Sequence, residues 1–216
     1  MLQVSAQSAR VRARYDALAP YIDFFDHLLM MSLFRVRARA IAYLPLRTGD
    51  TAVELGCGTG RNLTHLRRAV GPAGRIIGVE FAPGMLARAR KVVDRYQLDV
   101  ELIDQDAMFY PLPAANAVLL SLCYHTLSYP AQSLARIWSA LQPGACLAIM
   151  DGKPPDFAAN LLWPLGAKVL QSVFMGDADI EPWENLRHLA GNIEVSRFVF
   201  GSYYICWAIK PEQIPI

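Results

Sequence analysis

The sequence predicts an α/β chain, a doubly wound and mostly parallel sheet of seven strands that ends in a C-terminal antiparallel hairpin. Three observations lead there. From residue 51 onward, short apolar runs rich in β-branched residues alternate with longer stretches of helical period. Residues 115–122 are nearly all apolar, as expected of a central parallel strand covered on both faces. The last two β-rich runs are joined by a tight Gly201-Ser202 turn and read as an antiparallel hairpin at one edge.

Each element follows in order. Residues 51–55 form the first strand, and a helix over about 61–70 is stopped by Gly71-Pro72-Ala73-Gly74. Residues 75–79 form the second strand. Pro83 then sits where a first helical turn tolerates a missing amide, and Met85, Leu86, Ala89, Val92, Val93 and Tyr96 supply the apolar stripe. Residues 100–103 and 115–122 are the third and fourth strands. A helix over 132–141, a Pro143-Gly144 turn and a fifth strand over 145–150 come next. Residues 193–200 and 203–210 make the hairpin.

A chain of 216 residues can bury one substantial core and reads as a single domain. Within it, 49–152 is the cofactor-binding core and 191–216 the terminal hairpin. Residues 1–48 look helical, and 153–190 carry aromatics and several prolines. Ligands of open α/β sheets bind over the carboxyl ends of the strands, so these two segments are expected to cover the site as a helical lid and a substrate cap.

The formal charge of +2 is too small for a nucleic-acid binder, although arginines cluster at Arg10, Arg12, Arg14 and at Arg35, Arg37, Arg39. Such clusters suit a solvated helix face or peripheral contact with the inner face of a membrane. The hydrophobic fraction of 54% and mean hydropathy of +0.23 point to a heavily buried sheet, a pocket for a greasy substrate, or both. The N-terminus lacks the order of a secretory signal. The apolar stretch 157–175 is interrupted by Pro164, Gly166, Lys168 and Gln171, which argues against a membrane span. Cys57, Cys123, Cys146 and Cys206 are widely spaced, so reduced cytoplasmic thiols and no metal site are expected.

The chemistry is carried by the run Glu54-Leu55-Gly56-Cys57-Gly58-Thr59-Gly60 between the first strand and its helix. Glycines let the chain turn sharply and let a ligand approach the backbone, while free amides at a helix start favour an anionic group. The dinucleotide fingerprint needs a third glycine where this chain has Arg61, which disfavours NAD or flavin oxidoreductases.

This turn resembles the first motif of the class I S-adenosylmethionine-dependent methyltransferases, whose fold is Rossmann-like. The likeness continues through residues 78–86, Asp104-Gln105-Asp106-Ala107 and 141–145, covering roughly residues 48–152. The phrase Tyr15-Asp16-Ala17-Leu18-Ala19-Pro20-Tyr21 is similar to the opening of ubiquinone and menaquinone biosynthesis methyltransferases and of bacterial phospholipid N-methyltransferases. The resemblance implies S-adenosyl-L-methionine as cofactor and S-adenosyl-L-homocysteine as product. It implies that Glu80 takes the ribose hydroxyls, with Phe81 beside it, and that Met85 packs on the adenine. Asp106 and Ala107 would meet the adenine edge. Gly56, Gly58 and the Ser121 backbone would lie beside the amino-acid part; Glu54, Cys57 and Gly60 would complete the cofactor-binding turn, and Tyr15 would fold over the cofactor.

Methyl transfer from a sulfonium is a direct displacement, so the protein mainly aligns the partners and excludes water. An amine needs only its neutral form, whereas a phenol or carbon nucleophile benefits from a proton acceptor. His125, just beyond the fourth strand, is the candidate base, because histidine titrates near neutrality. Tyr124 is second, and Asp151 and Lys153 could line the same mouth. Apolar residues crowd the two covering segments, among them Phe24, Phe25, Met30, Met31, Phe34, Leu161, Trp163 and Phe174. That surplus suggests a small lipophilic acceptor, attacked through N, O or C. The alternatives are a membrane-surface phospholipid N-methyltransferase acting on phosphatidylethanolamine and a non-catalytic cofactor-binding regulatory protein.

Overall fold

The computed structural model describes residues 6–28, 35–153 and 181–212. Seven strands form one sheet in the order β3-β2-β1-β4-β5-β7-β6. β1 (Thr51–Leu55), β2 (Arg75–Glu80), β3 (Glu101–Asp104), β4 (Ala117–Ser121) and β5 (Cys146–Gly152) are parallel. β7 (Tyr203–Ile209) enters antiparallel between β5 and the edge strand β6 (Glu194–Phe198). The strand order reverses between β1 and β4, and this is the crevice where an open α/β sheet takes its ligand.

Side chains alternate across a strand, so each strand contributes to two cores. Ala52, Ile76, Leu119, Ala148 and Ile205 face α3 (Val36–Ile41) and α4 (Leu63–Val70). Val53, Leu55, Ile77, Val118, Leu120 and Ile149 face α6 (Pro130–Ala140) and α7 (Pro182–Ala190). All five residues of β4 are buried. At about 1.5–3 kcal/mol for each large apolar side chain removed from water, these central strands hold the fold together.

Several boundaries differ from the sequence expectation for local reasons. Gly60, Arg61 and Asn62 make a tight turn rather than helix, so α4 starts at Leu63. α6 starts earlier than expected, at Pro130, whose ring suits the first turn after a left-handed Tyr129. β4 stops at Ser121 because Leu122 turns left-handed, with φ 56°, while its amide still reaches Met150 O at 2.8 Å. The hairpin turn is wider than Gly201-Ser202: Val199, Phe200 and Gly201 all have positive φ, and the Ser202 amide closes the turn on Val199 O at 3.0 Å.

The N-terminal segment is helical, with α1 (Ala6–Leu18), a 3-10 turn and α2 (Ile22–Leu28). It packs on α5 (Pro83–Tyr96), where Tyr15, Leu18 and Ile22 surround Ala19, Ala82 and Met85. Asp16 fastens this contact: its Oδ1 accepts the Gly84 amide at 2.6 Å, satisfying one of the donors a helix start leaves open. A Cβ at residue 84 would lie 2.7 Å from that same oxygen, so glycine is what permits the approach.

No helix of the described residues is long and apolar enough to cross a membrane. The interrupted apolar stretch 157–175 lies outside the described residues, as do Met30, Met31, Phe34 and most of the expected cap.

Candidate active site

β1 delivers Glu54 and Leu55 to the carboxyl edge of the sheet, and the chain then turns through the three glycines. Gly56 and Gly58 have φ of 72° and 56°, a region in which any side chain is strained. A Cβ on Gly56 would meet Cys123 at 2.9 Å, whereas one on Gly58 would have nothing within 4 Å. Gly56 therefore serves close packing, and Gly58 leaves open space directly over the backbone.

Glu80, at the end of β2, ties this turn down. Its Oε2 accepts the Gly58 amide at 3.0 Å, and its Oε1 accepts the amides of Phe81 at 3.0 Å and Ala82 at 2.8 Å. Burial raises its pKa, and the three amides oppose that rise. Glu54 is buried further, at 1% exposure, and Asn62 Nδ2 donates to its Oε1 at 2.5 Å. Burial pushes the Glu54 pKa up to about 7; the Asn62 amide and the Arg37 charge pull it down, and Glu80 adds to the rise.

Among the described residues, Glu54 Oε2, Asp106 Oδ2 and Ser121 Oγ are buried without a hydrogen-bond partner. Orphaned buried acceptors are costly, and these stand at the carboxyl edge on β1, after β3 and on β4. S-adenosylmethionine carries the matching donors, an ammonium and an adenine amine, so the residues present fit it. Asp106 also has a local duty, since its Oδ1 accepts the Met108 amide at 2.9 Å. The Ala107 carbonyl accepts from Arg136 at 3.2 Å. Met85 is 2% exposed and lies beneath the N-terminal segment, against Ala82. The Cys57 thiol is buried and pushed well up, by burial and then by Glu54 and Glu80, and so is no nucleophile.

On the other side of the crevice, the left-handed Leu122 redirects the chain into a 3-10 turn, Tyr124–Thr126. His125 Nε2 lies 3.4 Å from Asp151 Oδ2 on β5 and 3.3 Å from the Tyr204 hydroxyl on β7, while its Nδ1 is buried with no partner. Nε2 faces the Asp151 carboxylate without a hydrogen bond to it, since Asp151 Oδ2 is likewise buried with no partner among the described residues. Burial raises the Asp151 pKa; the His125 charge and the amides of Gly152, His125 and Tyr124 oppose the rise. The Tyr15 hydroxyl belongs to the same neighbourhood: its pKa is raised by burial and then by Asp151, Cys123 and Glu80.

Tyr124 requires a correction. Its ring is fully buried in the core, its hydroxyl accepts from Asn185 Nδ2 at 3.0 Å, and burial pushes its pKa up to about 12. Adjacent residues of a tight turn point apart, so Tyr124 anchors the turn to α7 while His125 turns toward Asp151 and Tyr204. Sequence reasoning placed Asp151 at the mouth but did not find Tyr204, whose signal lies in no local pattern. Lys153 lies just past the end of β5.

Arg61 also has a role beyond its missing glycine. It bridges Asp23 at 2.9 Å and Asp26 at 3.2 Å on α2, and Arg88 of α5 shares Asp23. Arg37 of α3 holds both oxygens of Asp26 at 3.2 Å and reaches Asn62 at 3.3 Å, one step from Glu54. An ionic network thus links α2 to the glycine turn and the floor of the site.

Comparison with known proteins bears on this geometry. A family model described as a methyltransferase domain matches residues 52–144. The chain is 32% identical over 153 residues to the 2-phytyl-1,4-naphtoquinone methyltransferase of Thermosynechococcus vestitus, spanning 69% of this chain and 67% of that protein. It is 28% identical over 148 residues to the demethylmenaquinone methyltransferase of Thermus thermophilus, spanning 67% of each. A crystal structure of a SAM dependent methyltransferase from Aquifex aeolicus superposes with a TM-score of 0.61 at 23% identity, over 88% of this chain and 97% of that one, and supports the fold. A glycine turn with carboxylates at the ends of β1 and β2, on this sheet order and with these relatives, places the chain: it belongs to the class I S-adenosylmethionine-dependent methyltransferases and stands near their quinone-methylating group.

Proposed function

We propose that the chain methylates a small lipophilic acceptor whose attacking carbon or oxygen must first lose a proton, with a reduced quinone ring as the best-fitting class. The observation that carries this is His125, set beside the Asp151 carboxylate at 3.4 Å and the Tyr204 hydroxyl at 3.3 Å, with its buried Nδ1 lacking a partner among the described residues. An amine acceptor would need no such group. The names of the similar proteins, which methylate naphthoquinone and menaquinone precursors, support the same acceptor class.

When bound, S-adenosylmethionine supplies an electrophilic methyl group. Glu54, Glu80, Asp106, Ser121 and the glycine turn hold it, with Phe81 and Met85 at the nucleoside side. His125 Nδ1 takes the acceptor proton, and Asp151 stabilises the resulting imidazolium through Nε2. Tyr15 and the N-terminal helices between residues 6 and 28 form the lid over the cofactor side. Access to a lipophilic acceptor suits peripheral contact with the inner membrane face.

The experiment supplies methyl-labelled cofactor with either a demethylated naphthoquinol in detergent or phosphatidylethanolamine vesicles. Label is expected in the quinone ring product. Label in the phospholipid alone would overturn the quinone reading in favour of a phospholipid N-methyltransferase.

A further inference from the structure

A second concave surface lies outside the cofactor crevice, a cleft of about 520 Å³ between α3, α4 and α5. None of the residues assigned above to the cofactor or to proton transfer lines it, although Thr59 and Arg61 of the glycine turn form part of its wall.

Its chemistry is strongly cationic. Arg35, Arg37, Arg61, Arg88, Lys91 and Arg95 line it. Two carboxylates, Asp23 and Asp26, pair with Arg37, Arg61 and Arg88. Arg35 and Lys91 have no carboxylate partner among the described residues, and Arg95 rests 5.5 Å from the Tyr96 ring. The surplus gathered here exceeds the +2 of the whole chain. Lys91 and Arg95, four residues apart on one face of α5, repel each other in the absence of an anion, whereas Arg88 on the same face is held by Asp23. His65, which also lines the cleft, has its pKa lowered by burial and then by Arg68, Arg37 and Arg35, a second sign that this positive field is uncompensated.

Tyr96 lines the cleft and is 55% exposed, and the segment that supplies Asp23 leaves Tyr21 62% and Phe24 65% exposed. Exposed aromatic rings beside arginine and lysine are the composition that seats proteins at a membrane–water interface, with the rings at headgroup depth and the cations on phosphate.

We infer that this cleft binds the phosphate of an anionic lipid headgroup and docks the enzyme on a membrane surface, with Arg35, Lys91 and Arg95 as the phosphate ligands. The site is separate from the acceptor site, so the inference stands whatever the acceptor is.

The test is co-sedimentation of the full chain with phosphatidylcholine vesicles, with and without phosphatidylglycerol. The cleft variant combines Arg35→Gln, Lys91→Gln and Arg95→Gln; a charge-matched control combines Arg47→Gln, Arg90→Gln and Arg187→Gln, all outside the cleft. Thermal melting and S-adenosylhomocysteine binding establish that both remain folded. Wild type and control should bind the anionic vesicles alike, and the cleft variant about a hundredfold more weakly, at about fivefold per charge removed. Equal loss in both variants would overturn the assignment, since bulk charge would then explain the binding. No binding by the wild type would overturn it as well. Free glycerol 3-phosphate shifting the His65 NMR signals while vesicles are ignored would make the cleft a soluble phosphate site and end the membrane reading.

Discussion

The candidate cofactor side of the crevice centres on one contiguous run, Glu54 to Gly60, joined by Glu80, Asp106 and Ser121, each at or just past the end of a parallel strand. On the acceptor side, His125, Asp151 and Tyr204 come from three elements, with His125 and Tyr204 79 residues apart. The first side binds largely through backbone amides and buried carboxylates fixed by local turns. The second depends on the sheet bringing distant side chains into register, through the β5–β7 pairing that sets Asp151 opposite Tyr204. A common cofactor needs a site that local sequence can specify, whereas an acceptor site can diverge through side chains on separate strands and loops.

Substitutions can separate the two sides. The largest effect is expected for His125→Gln, which should lower kcat by about 10²–10⁴-fold while leaving S-adenosylhomocysteine affinity unchanged. An equal loss of cofactor affinity would show that the two sides are not independent. Next, Glu80→Ala should weaken cofactor binding by about 1–3 kcal/mol, read by calorimetry, because it strands the Gly58, Phe81 and Ala82 amides along with the ribose hydroxyls. Unchanged affinity would remove Glu80 from the cofactor side.

The third prediction concerns pH. The folded pKa of Glu54 is raised to about 7, so its contribution to stability is fully present below the unfolded carboxylate value and is lost as pH rises through about 7. Glu80 and Asp151 are shifted in the same direction and add to the trend. The cofactor ammonium favours the ionised carboxylate, so affinity should move the opposite way and weaken about tenfold per pH unit below that value. Melting temperature and cofactor affinity should therefore slope oppositely between pH 5 and about 8. Glu54→Gln should flatten the affinity slope, and parallel slopes in the wild type would contradict the assignment. The smallest effect is expected for Asp16→Ala, which should cost about 1 kcal/mol by removing the α5 cap, a fall of about 2–4 °C in Tm.

What could be read from the sequence follows the same division. The strands, their order of appearance and the terminal hairpin were legible because period and turn residues are local signals. The glycine turn was legible for the same reason. Arg61 was seen only as a glycine that was not there, since its partners Asp23 and Asp26 lie on a helix far earlier in the chain. Tyr124 stayed a second candidate behind His125 because a sequence does not show which way each residue of a short turn points. Asn62 looked like a helix start and proved to hold Glu54.

The N-terminal helices are fastened partly by apolar contacts at Tyr15, Leu18 and Ile22 and partly by the arginine–aspartate network around Asp23 and Asp26. The sheet beneath is held by apolar burial, which salt does not weaken. Raised ionic strength is therefore expected to loosen this N-terminal cover, through the exposed pairs at Asp23, before it touches the sheet, and so to hasten cofactor departure more than it lowers the melting point.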